Sequence, residues 1–422
     1  MIAYVTHVVR SKGLANLPAR ALAIGRNFGL SQARIARKLA ALGELTGRRQ
    51  APLTACVTAC LMERYPAVVE AMSERGWEVA VHGRVHCDLR GLTEEQQAEE
   101  MALALGLSRQ LRLEACGFRA PYLAWDEATR QAAARAGFLW TSNQALLWPV
   151  LERTQFPRSR WEAVERVLAA LYRPHFATRS VSVPRLCQGV VEIPVSLPDD
   201  EILCDRLRAG EPEVKWAWLR ILEESHRLGE AAVLLIHHER AEQLLGPLET
   251  VLAARERLAG SVWLVDFNAL AKWWLERSSF SFKVNGTPGR WEVEVACSPR
   301  GVVLLKEGAG GWREVAERRF LLDCPARPTV GVEEGVGADV VEFLRNEGLM
   351  VEPRQGAHGL TLQGPESLPA EAERELLRLV EAAPGALLRF GRWPQGVRSA
   401  LAISMDVDSI TLFDFMRRAW RR

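Results

Sequence analysis

Short apolar runs alternate with amphipathic stretches along the chain up to about residue 275. The runs "APLTACVTA", "WEVAVHG" and "AAVLLIHHE" indicate strands, whereas "YPAVVEAMSERG" and "LTEEQQAEEMALALGLSRQL" are typical of amphipathic helices. Repeated strand–helix units of this length predict a parallel sheet, either open or closed into a barrel. In such barrels the working residues lie at the carboxyl ends of the strands. Residues 1–275 are therefore predicted to form one α/β domain.

The pattern changes after residue 275. Residues 276–330 alternate apolar and polar positions, as in "FSFKV" and "WEVEVAC", and predict a β-rich accessory segment. Residues 331–392 contain two helical patterns with a short strand between them, which predicts an α+β accessory segment. Residues 393–422 start with another apolar strand, and we expect this strand and a following helix to complete the barrel.

Composition and charge limit the classes of protein to which the chain can belong. The 422 residues contain 54 Lys and Arg against 52 Asp and Glu, and a net charge of +2 argues against a nucleic-acid-binding footprint. The chain shows neither a signal-peptide pattern nor an apolar stretch long enough to span a membrane, so we expect a cytoplasmic protein. The eight cysteines include no C-x-x-C pair and are expected to be reduced thiols.

The strongest local pattern is a pair of histidines, His82 and His86, just past the strand "WEVAVHG". Two imidazoles four residues apart can reach one metal ion, whether the segment forms a helical turn or a tight loop. Alone, an H-x-x-x-H pair is more often a structural or surface pair than a metal site. Its significance therefore depends on the other motifs of the chain.

Three other motifs strengthen the interpretation of His82 and His86 as a metal site. The segment "GFRAPYL" places Arg119 after a strand and contains an R-x-P-Y sequence that ends at Tyr122; such an Arg offers a rigid cationic fork to a carboxylate. The strand "VLLIHHE" ends in His237, and a histidine at a strand end can act as a general acid. Close to the C-terminus, "ALAISMDVDSITLFDF" brings Asp406 and Asp408 to the tip of an apolar strand.

Taken together, these motifs resemble those of the polysaccharide deacetylase family, also called carbohydrate esterase family four. The resemblance extends from residue 50 to 275 and again from 392 to 416, and it includes the segments around the motifs. It implies a metal-dependent hydrolase that removes an acetyl group, N- or O-linked, from a carbohydrate or glycoconjugate. It also implies the family's irregular (β/α) barrel.

The resemblance assigns a role to each motif residue. It implies that Asp406 is the general base, and that Asp408, His82 and His86 bind a divalent metal ion, most often Zn²⁺. Two imidazoles and one carboxylate leave an open position for water, which suits a hydrolytic zinc site.

The same resemblance implies that His237 protonates the departing amine, and that Arg119 keeps Asp406 charged and oriented. It further implies that the backbone N–H of Tyr122 helps to stabilise the oxyanion.

The order of the motifs departs from that family, in which the acidic motif comes first. The first Asp of this chain is Asp88, and the initial strand carries Thr6 and His7 where acids are expected. Three explanations remain open. The domain is circularly permuted, so that the terminal strand slots in beside "PLTACVT"; or that strand completes the site of a second copy in a homodimer; or the tail is vestigial and the chain is a non-catalytic glycan-binding or scaffold protein.

Two smaller features qualify the resemblance. The strand after R-x-P-Y often carries an acid in the family, but "FLWTSN" offers Thr141 and Ser142 instead, which puts the tuning of the acid–base pair in doubt. Trp125, Trp140 and Trp148 could stack on sugar rings, although tryptophans at such positions more often belong to the core. Within the enzyme hypothesis, the alternative is a non-sugar amide cleaved by the same site.

Overall fold

The structure, a computed structural model, describes residues 25, 27–258, 261–308 and 310–420. The contacts between them divide the chain into two compact units. The first unit comprises the described residues up to His175, Ser182–Ala271, and the chain from Ser399 onward. The second comprises Phe176–Val181 and Lys272–Arg398, so the two accessory segments distinguished in the sequence lie in one unit.

The elements up to residue 278 alternate strands and helices, as the sequence pattern predicts. The helices are α1 (Ala33–Arg48), α2 (Ala59–Arg64), α3 (Pro66–Glu74), α4 (Glu94–Gln110), α5 (Glu127–Ala136), α6 (Arg158–Val167), α7 (Glu211–Leu228), α8 (Ala241–Arg257) and α9 (Phe267–Ser278). The strands are β1 (Thr54–Val57), β2 (Glu78–Val81), β3 (Gly117–Phe118), β4 (Trp140–Thr141), β5 (Ala145–Leu147), β6 (His175–Phe176), β7 (Arg185–Cys187), β8 (Val190–Glu192), β9 (Val195–Leu197), β10 (Ala231–His237) and β11 (Val262–Leu264).

The remaining elements are mostly strands until the chain returns to the first unit. The strands are β12 (Ser281–Thr287), β13 (Arg290–Ala296), β14 (Val303–Lys306), β15 (Trp312–Val315), β16 (Arg319–Leu322), β17 (Arg327–Val332), β18 (Val351–Pro353), β19 (His358–Leu362), β20 (Leu387–Phe390) and β21 (Ser399–Val407). The helices are α10 (Ala338–Asn346), α11 (Glu373–Ala382) and α12 (Leu412–Trp420).

The main sheet of the first unit has nine strands, eight of which follow the order β10-β21-β1-β2-β3-β4-β8-β7, while β11 also pairs with β21. Its strands pair in parallel, except in the hairpin of β7 and β8. Most residues of β1, β2, β8, β10 and β21 are buried. The predicted α/β fold, with a curled, incompletely closed sheet and additional β-rich regions, is confirmed.

The last strand of the chain occupies a central position in this sheet. β21 lies between β10 and β1, and all nine of its residues are buried. Its uninterrupted run of small and apolar residues suits a strand with neighbours on both edges and cover on both faces. The C-terminal residues are therefore part of the core of the first unit.

The second unit is built around two small antiparallel sheets, β12-β13-β16 and β15-β14-β20. A cluster of buried side chains from these strands, including Phe282, Val293, Leu305 and Phe390, forms its core. A third, parallel sheet has the order β18-β17-β19. No helix within the described residues combines the length and the apolar character needed to cross a membrane. The eight cysteines, all of them described, form no disulfide bond.

A close approach in the main sheet gives a first prediction. A Cβ atom on Gly117 of β3 would overlap the buried indole ring of Trp140, on the neighbouring strand β4. We expect Gly117→Ala to destabilise the first unit by about 1–3 kcal/mol, because the ring has no room to move in a packed core. Urea unfolding monitored by tryptophan fluorescence would measure the change.

Gly106 provides the matched control. It lies inside α4, and a Cβ atom there would meet nothing within 4 Å. Gly106→Ala should therefore stabilise the protein by about 0.5–1 kcal/mol. Both substitutions remove the same backbone freedom from the unfolded chain, so their difference isolates the overlap. Equal effects of the two substitutions would show that Trp140 does not constrain position 117.

Candidate active site

The motif residues converge at one edge of the main sheet, where its parallel strands end. His82 follows β2, Arg119 follows β3 and His237 ends β10. The ladder pairs Asp406 of β21 with Cys56 on one side and His237 on the other. Carboxyl ends of parallel strands are the usual place for catalytic groups in such folds, and here they bring together residues more than three hundred positions apart.

The two histidines lie against the two acids of the D-x-D motif. His82 Nε2 is 3.6 Å from Asp406 Oδ2, and His86 Nε2 is 3.5 Å from Asp408 Oδ2. The two imidazole rings are in edge contact, with centroids 5.0 Å apart. All four side chains are almost entirely buried, with less than a tenth of each exposed.

The ring of His82 has the hydrogen-bonding state of a metal ligand. Its Nδ1 lies 3.0 Å from the carbonyl oxygen of Arg119 and must donate to it, which leaves the lone pair on Nε2. That Nε2 atom is buried and has no hydrogen-bond partner. Burial also lowers the pKa of His82, against the opposing charges of Asp406 and Asp408, so the ring is held neutral. Histidines that bind metals usually donate their other N–H to a carbonyl in this way.

One pair of the donor atoms has a spacing that suits a divalent ion. As placed, the described residues include no group of three or more His, Cys, Asp or Glu side chains that could hold a metal ion. Two ligands about 2.1 Å from a tetrahedral Zn²⁺ lie roughly 3.4 Å apart, close to the 3.5 Å between His86 Nε2 and Asp408 Oδ2. The buried, unpartnered nitrogen of His82 needs a partner of this kind. The donor set therefore fits the ion that the resemblance implies.

Arg119 binds the first acid of the D-x-D motif. Its Nη1 donates to Asp406 Oδ1 at 2.9 Å and to Ser404 Oγ at 3.0 Å, and the guanidinium is fully buried. Burial alone would raise the pKa of Asp406, but the electrostatic interaction with His82, the charges of Arg119 and His237, and this hydrogen bond lower it below its ordinary value. Asp406 is therefore a carboxylate at neutral pH, with Oδ2 directed at His82.

Ser142 holds the rest of that guanidinium. Arg119 Nε donates to the carbonyl oxygen of Ser142 at 3.1 Å, and Nη2 donates to its hydroxyl at 2.9 Å. The hydroxyl of Thr141 and the backbone N–H of Asn143 both donate to Glu192, at the end of β8. The strand after R-x-P-Y thus has no acid of its own. The buried carboxylate of Glu192, from the adjacent strand β8, instead binds the residues at its end.

His237 has an acidic partner that the sequence analysis did not identify. Its Nδ1 lies 2.7 Å from Asp200 Oδ1, and its backbone N–H donates to Asp200 Oδ2. Burial would lower the pKa of His237, but the charge and hydrogen bond of Asp200, with a further contribution from Glu239, raise it well above its ordinary value. Arg240 in turn donates to Asp200 Oδ2 at 3.1 Å.

Asp200 follows β9, in the segment "VSLPDDE". The available signal was its position just beyond a strand of the α/β region, because such positions face the same edge as the other strand ends. Its neighbour Asp199 behaves differently: burial and the nearby charge of Asp200 raise the pKa of Asp199 to about 7. Tyr172 Oη lies 3.0 Å from Asp199 Oδ2 and 2.8 Å from Glu201 Oε2.

Tyr122 has an unusual backbone conformation. Its φ of 65° lies in the left-handed region, and Leu123 follows with φ 51°. Such angles cost of order 1–2 kcal/mol per residue outside glycine, and they often occur where a backbone group must face a ligand. The ring of Tyr122 packs edge-on against His86, with centroids 4.2 Å apart. The R-x-P-Y turn therefore lies directly beside the histidine pair.

Two of the tryptophans considered as sugar platforms are buried instead. Trp140 is fully inaccessible, and its Nε1 donates to Glu78 and Asn268. Trp148 is 2% exposed and donates to Ser196 Oγ. Both rings fill the core, which confirms the interpretation that the sequence favoured. Trp125 remains partly exposed under the guanidinium of Arg130. Thr6 and His7 lie outside the described residues.

Comparison with known families confirms the resemblance. Residues 40–140 match the family model described as polysaccharide deacetylase. This range contains His82, His86, Arg119 and Tyr122. No curated protein is similar enough to the chain to count as a match.

Several solved structures show limited similarity to the chain. A polysaccharide deacetylase described from Mycobacterium smegmatis is 20% identical, with a TM-score of 0.44 over 56% of this chain and 76% of that one. PuuE allantoinase is 16% identical, with a TM-score of 0.41 over 56% and 72%. A family 4 carbohydrate esterase from Streptomyces lividans, in complex with acetate, is 14% identical, with a TM-score of 0.32 over 52% and 82%.

The pairing of His237 with Asp200 gives a second prediction. We expect Asp200→Asn to lower the pKa of His237, because the amide no longer attracts the imidazolium while burial continues to oppose its charge. A histidine whose folded pKa is raised stabilises the protein below its unfolded pKa and loses that contribution as pH rises through the folded value. Loss of Asp200 should therefore weaken stability most at acidic and neutral pH.

The ring resonances of His237 in an NMR pH titration would measure the shift. Asp205→Asn is the control, because Asp205 also binds Arg240, at 2.9 Å, but not His237. The control should leave the His237 midpoint close to that of the unmodified protein. A folded Asp200→Asn protein with an unchanged His237 midpoint would contradict the assignment.

Proposed function

We propose that this chain is a metal-dependent hydrolase that removes an acetyl group from a carbohydrate or glycoconjugate. The observation that carries the proposal is the meeting of the C-terminal D-x-D motif with the H-x-x-x-H pair: the acids and imidazoles lie 3.5–3.6 Å apart, around a buried and unpartnered His82 Nε2. Buried groups of this kind are expensive unless they serve a ligand. The confirmed family resemblance supplies the reaction class.

His82, His86 and Asp408 would hold the metal ion, and Zn²⁺ suits two imidazoles and one carboxylate. When bound, a divalent ion polarises the acetyl carbonyl and acidifies the attacking water. The carbonyl oxygen of Arg119 fixes the ring of His82 for this task, because it accepts from Nδ1 and leaves Nε2 as the donor atom. The ring contact between Tyr122 and His86 limits the orientation of the second imidazole.

Asp406 is proposed as the general base. Its Oδ1 is occupied by Arg119, so Oδ2, on the side of His82, is the atom that takes a proton from water as the oxygen attacks the acetyl carbonyl carbon. The lowered pKa keeps the carboxylate ionised and ready to accept. Arg119 is proposed to act through Asp406, which it orients and keeps charged.

His237 is proposed as the general acid. Its raised pKa keeps the imidazolium populated at neutral pH, and Asp200 occupies Nδ1, which leaves Nε2 to give a proton to the departing nitrogen or oxygen. The side chain is 18% exposed, so a substrate can reach it. The backbone N–H of Tyr122 would face the oxyanion. One proton moves from water to Asp406 and one from His237 to the leaving group, and exchange with solvent resets both residues.

The permuted order of motifs is part of the proposal. The position of β21 between β1 and β10 of its own chain supports completion of the site within one molecule. A second support is Asp414 in α12, which binds Arg64 and accepts from Tyr65 Oη at 2.9 Å. These contacts hold the segment beyond Asp408 against α2 and the start of α3, as a vestigial tail would not require.

The central test separates metal binding from proton transfer. We expect Asp406→Asn to retain about one Zn²⁺ per chain and to lower kcat for a generic acetyl ester by about 10²–10⁴-fold, because the base is lost while the ligands remain. His82→Ala should lose the metal as well as the activity. Metal content would be measured by mass spectrometry after exposure to Zn²⁺ and removal of the excess.

Substrate class is tested on the same preparations. N-acetylated chito-oligosaccharides and acetylated xylan should release acetate with the unmodified protein and not with Asp406→Asn. Activity on non-sugar amides alone would show that the substrate is not a carbohydrate, whereas the proposed catalytic site would stand. A folded protein that binds no divalent ion would leave the non-catalytic hypothesis in place.

A mixture of two inactive variants tests whether the site lies within one chain. We expect an equimolar mixture of Asp406→Ala and His82→Ala to stay inactive after joint unfolding and refolding, because each chain lacks one part of its own site. A site shared between two copies would regain partial activity in the same mixture. Refolded unmodified protein is the control for recovery.

A further inference from the structure

A second histidine, His238, lies beside the site and is not used by the proposed chemistry. The ladder between β10 and β21 ends with the pair His237 and Asp406, and His238 is the next residue. Its ring is fully buried. Nδ1 lies 2.9 Å from the carbonyl oxygen of Asp406, and Nε2 lies 2.5 Å from the carbonyl oxygen of Ser409.

These contacts define the hydrogens that the ring must carry. A carbonyl oxygen only accepts, so each of these contacts requires a hydrogen on the ring nitrogen that makes it. The carboxylate of Glu239 lies 3.5 Å from Nδ1.

The two carbonyl groups lie on either side of Asp408. Asp406 and Ser409 belong to the tip of β21 and to the turn that follows it, and the hydroxyl of Ser409 donates to the carbonyl oxygen of Asp408. Beyond the turn, the N–H of Thr411 donates to Asp414 at 2.9 Å. The turn thus has one fixed end at Asp414 and another at His238. Without His238, the buried carbonyl groups of Asp406 and Ser409 would lose this donor.

We propose that His238 is a positioning residue: it bridges the carbonyl oxygens of Asp406 and Ser409 and thereby fixes the turn that presents Asp408 to His86. This inference rests on the proposed function for its consequence, since Asp408 is there a metal ligand. The bridging itself depends only on the geometry of the turn. Small displacements of a ligand matter, because groups that orient ligands typically change metal affinity by about 10–100-fold when they are replaced.

Packing is the competing explanation, and the two make opposite predictions. The ring of His238 also contacts Phe28 edge-on, with centroids 6.0 Å apart. If volume and ring shape matter, His238→Phe should be tolerated better than His238→Gln. If the donated hydrogens matter, His238→Gln should be tolerated better, because its amide still has N–H groups and Phe has none.

The experiment measures Zn²⁺ binding and backbone exchange in both variants. We expect His238→Phe to weaken Zn²⁺ binding about 10–100-fold, with His238→Gln affected less. Hydrogen exchange should become faster across residues 407–411 in His238→Phe, while the strands β1 and β2 keep their protection. His358→Phe is the control: His358 bonds to Thr329 Oγ1 and the N–H of Gln355 in the second unit and should leave both readouts unchanged.

The outcomes separate this inference from the proposed function. If the unmodified protein binds no Zn²⁺, the proposed function fails, and exchange across residues 407–411 alone decides whether His238 fixes the turn. If Zn²⁺ binds, unchanged affinity and exchange in a folded His238→Phe protein would overturn the inference. Tighter Zn²⁺ binding by His238→Phe than by His238→Gln would also overturn the inference. Should His238→Phe fail to fold, His238→Leu, whose side chain also carries no donor, takes its place, and unchanged Zn²⁺ affinity and exchange in that variant would overturn the inference.

Discussion

The arrangement of the first unit depends on the insertion of β21 between β1 and β10. All nine residues of this strand are buried, and its two neighbours are separated from it along the chain by the whole second unit. Contacts so distant in sequence are costly to close before they contribute stability. Both acids of the site belong to this segment, so they meet the histidines only when the strand is in place. Formation of the core and assembly of the site are therefore one event.

The buried pair of Arg119 and Asp406 shows how the fold tolerates charge in that core. Removing both ions from water is costly, and the attraction between them compensates only when the other polar atoms are also bonded. Ser142 and Ser404 provide those bonds for the guanidinium. The loss of either ion would leave its partner uncompensated, at a cost of about 3–5 kcal/mol. A pair of this kind ties the strand to the sheet and keeps a carboxylate available.

Much of this arrangement could be predicted from the sequence, but the contacts between residues that are distant along the chain could not. The alternation of strands and helices and the motifs around His82 and Arg119 were readable, because each is local. The position of β21 could be offered only as one of three explanations, since apolar character does not specify a neighbour. The core position of Trp140 was the favoured interpretation, but its packing against Gly117 on the neighbouring strand could not be predicted.

The partnership of Asp200 with His237 was missed for the same reason. In the sequence, the segment containing Asp200 is recognisable only as an apolar region that resembles the family. The acid that tunes the acid–base pair was expected in the strand after R-x-P-Y, where the chain has Thr141 and Ser142. The acid instead comes from the end of β9, far along the chain. Spatial proximity, rather than position within a motif, determines which carboxylate tunes the histidine.

The register of β21 finally determines which of its side chains face Arg119 and His237. Side chains alternate between the two faces of a strand, so Ser404 and Asp406 share the face that meets Arg119. The same register sets Asp406 opposite His237, whose positive charge helps to lower the pKa of the carboxylate. A slip of one residue would turn Met405 and Val407 towards the site. A single register thus sets Asp406 against both Arg119 and His237, the two contacts on which the proposed acid–base pair depends.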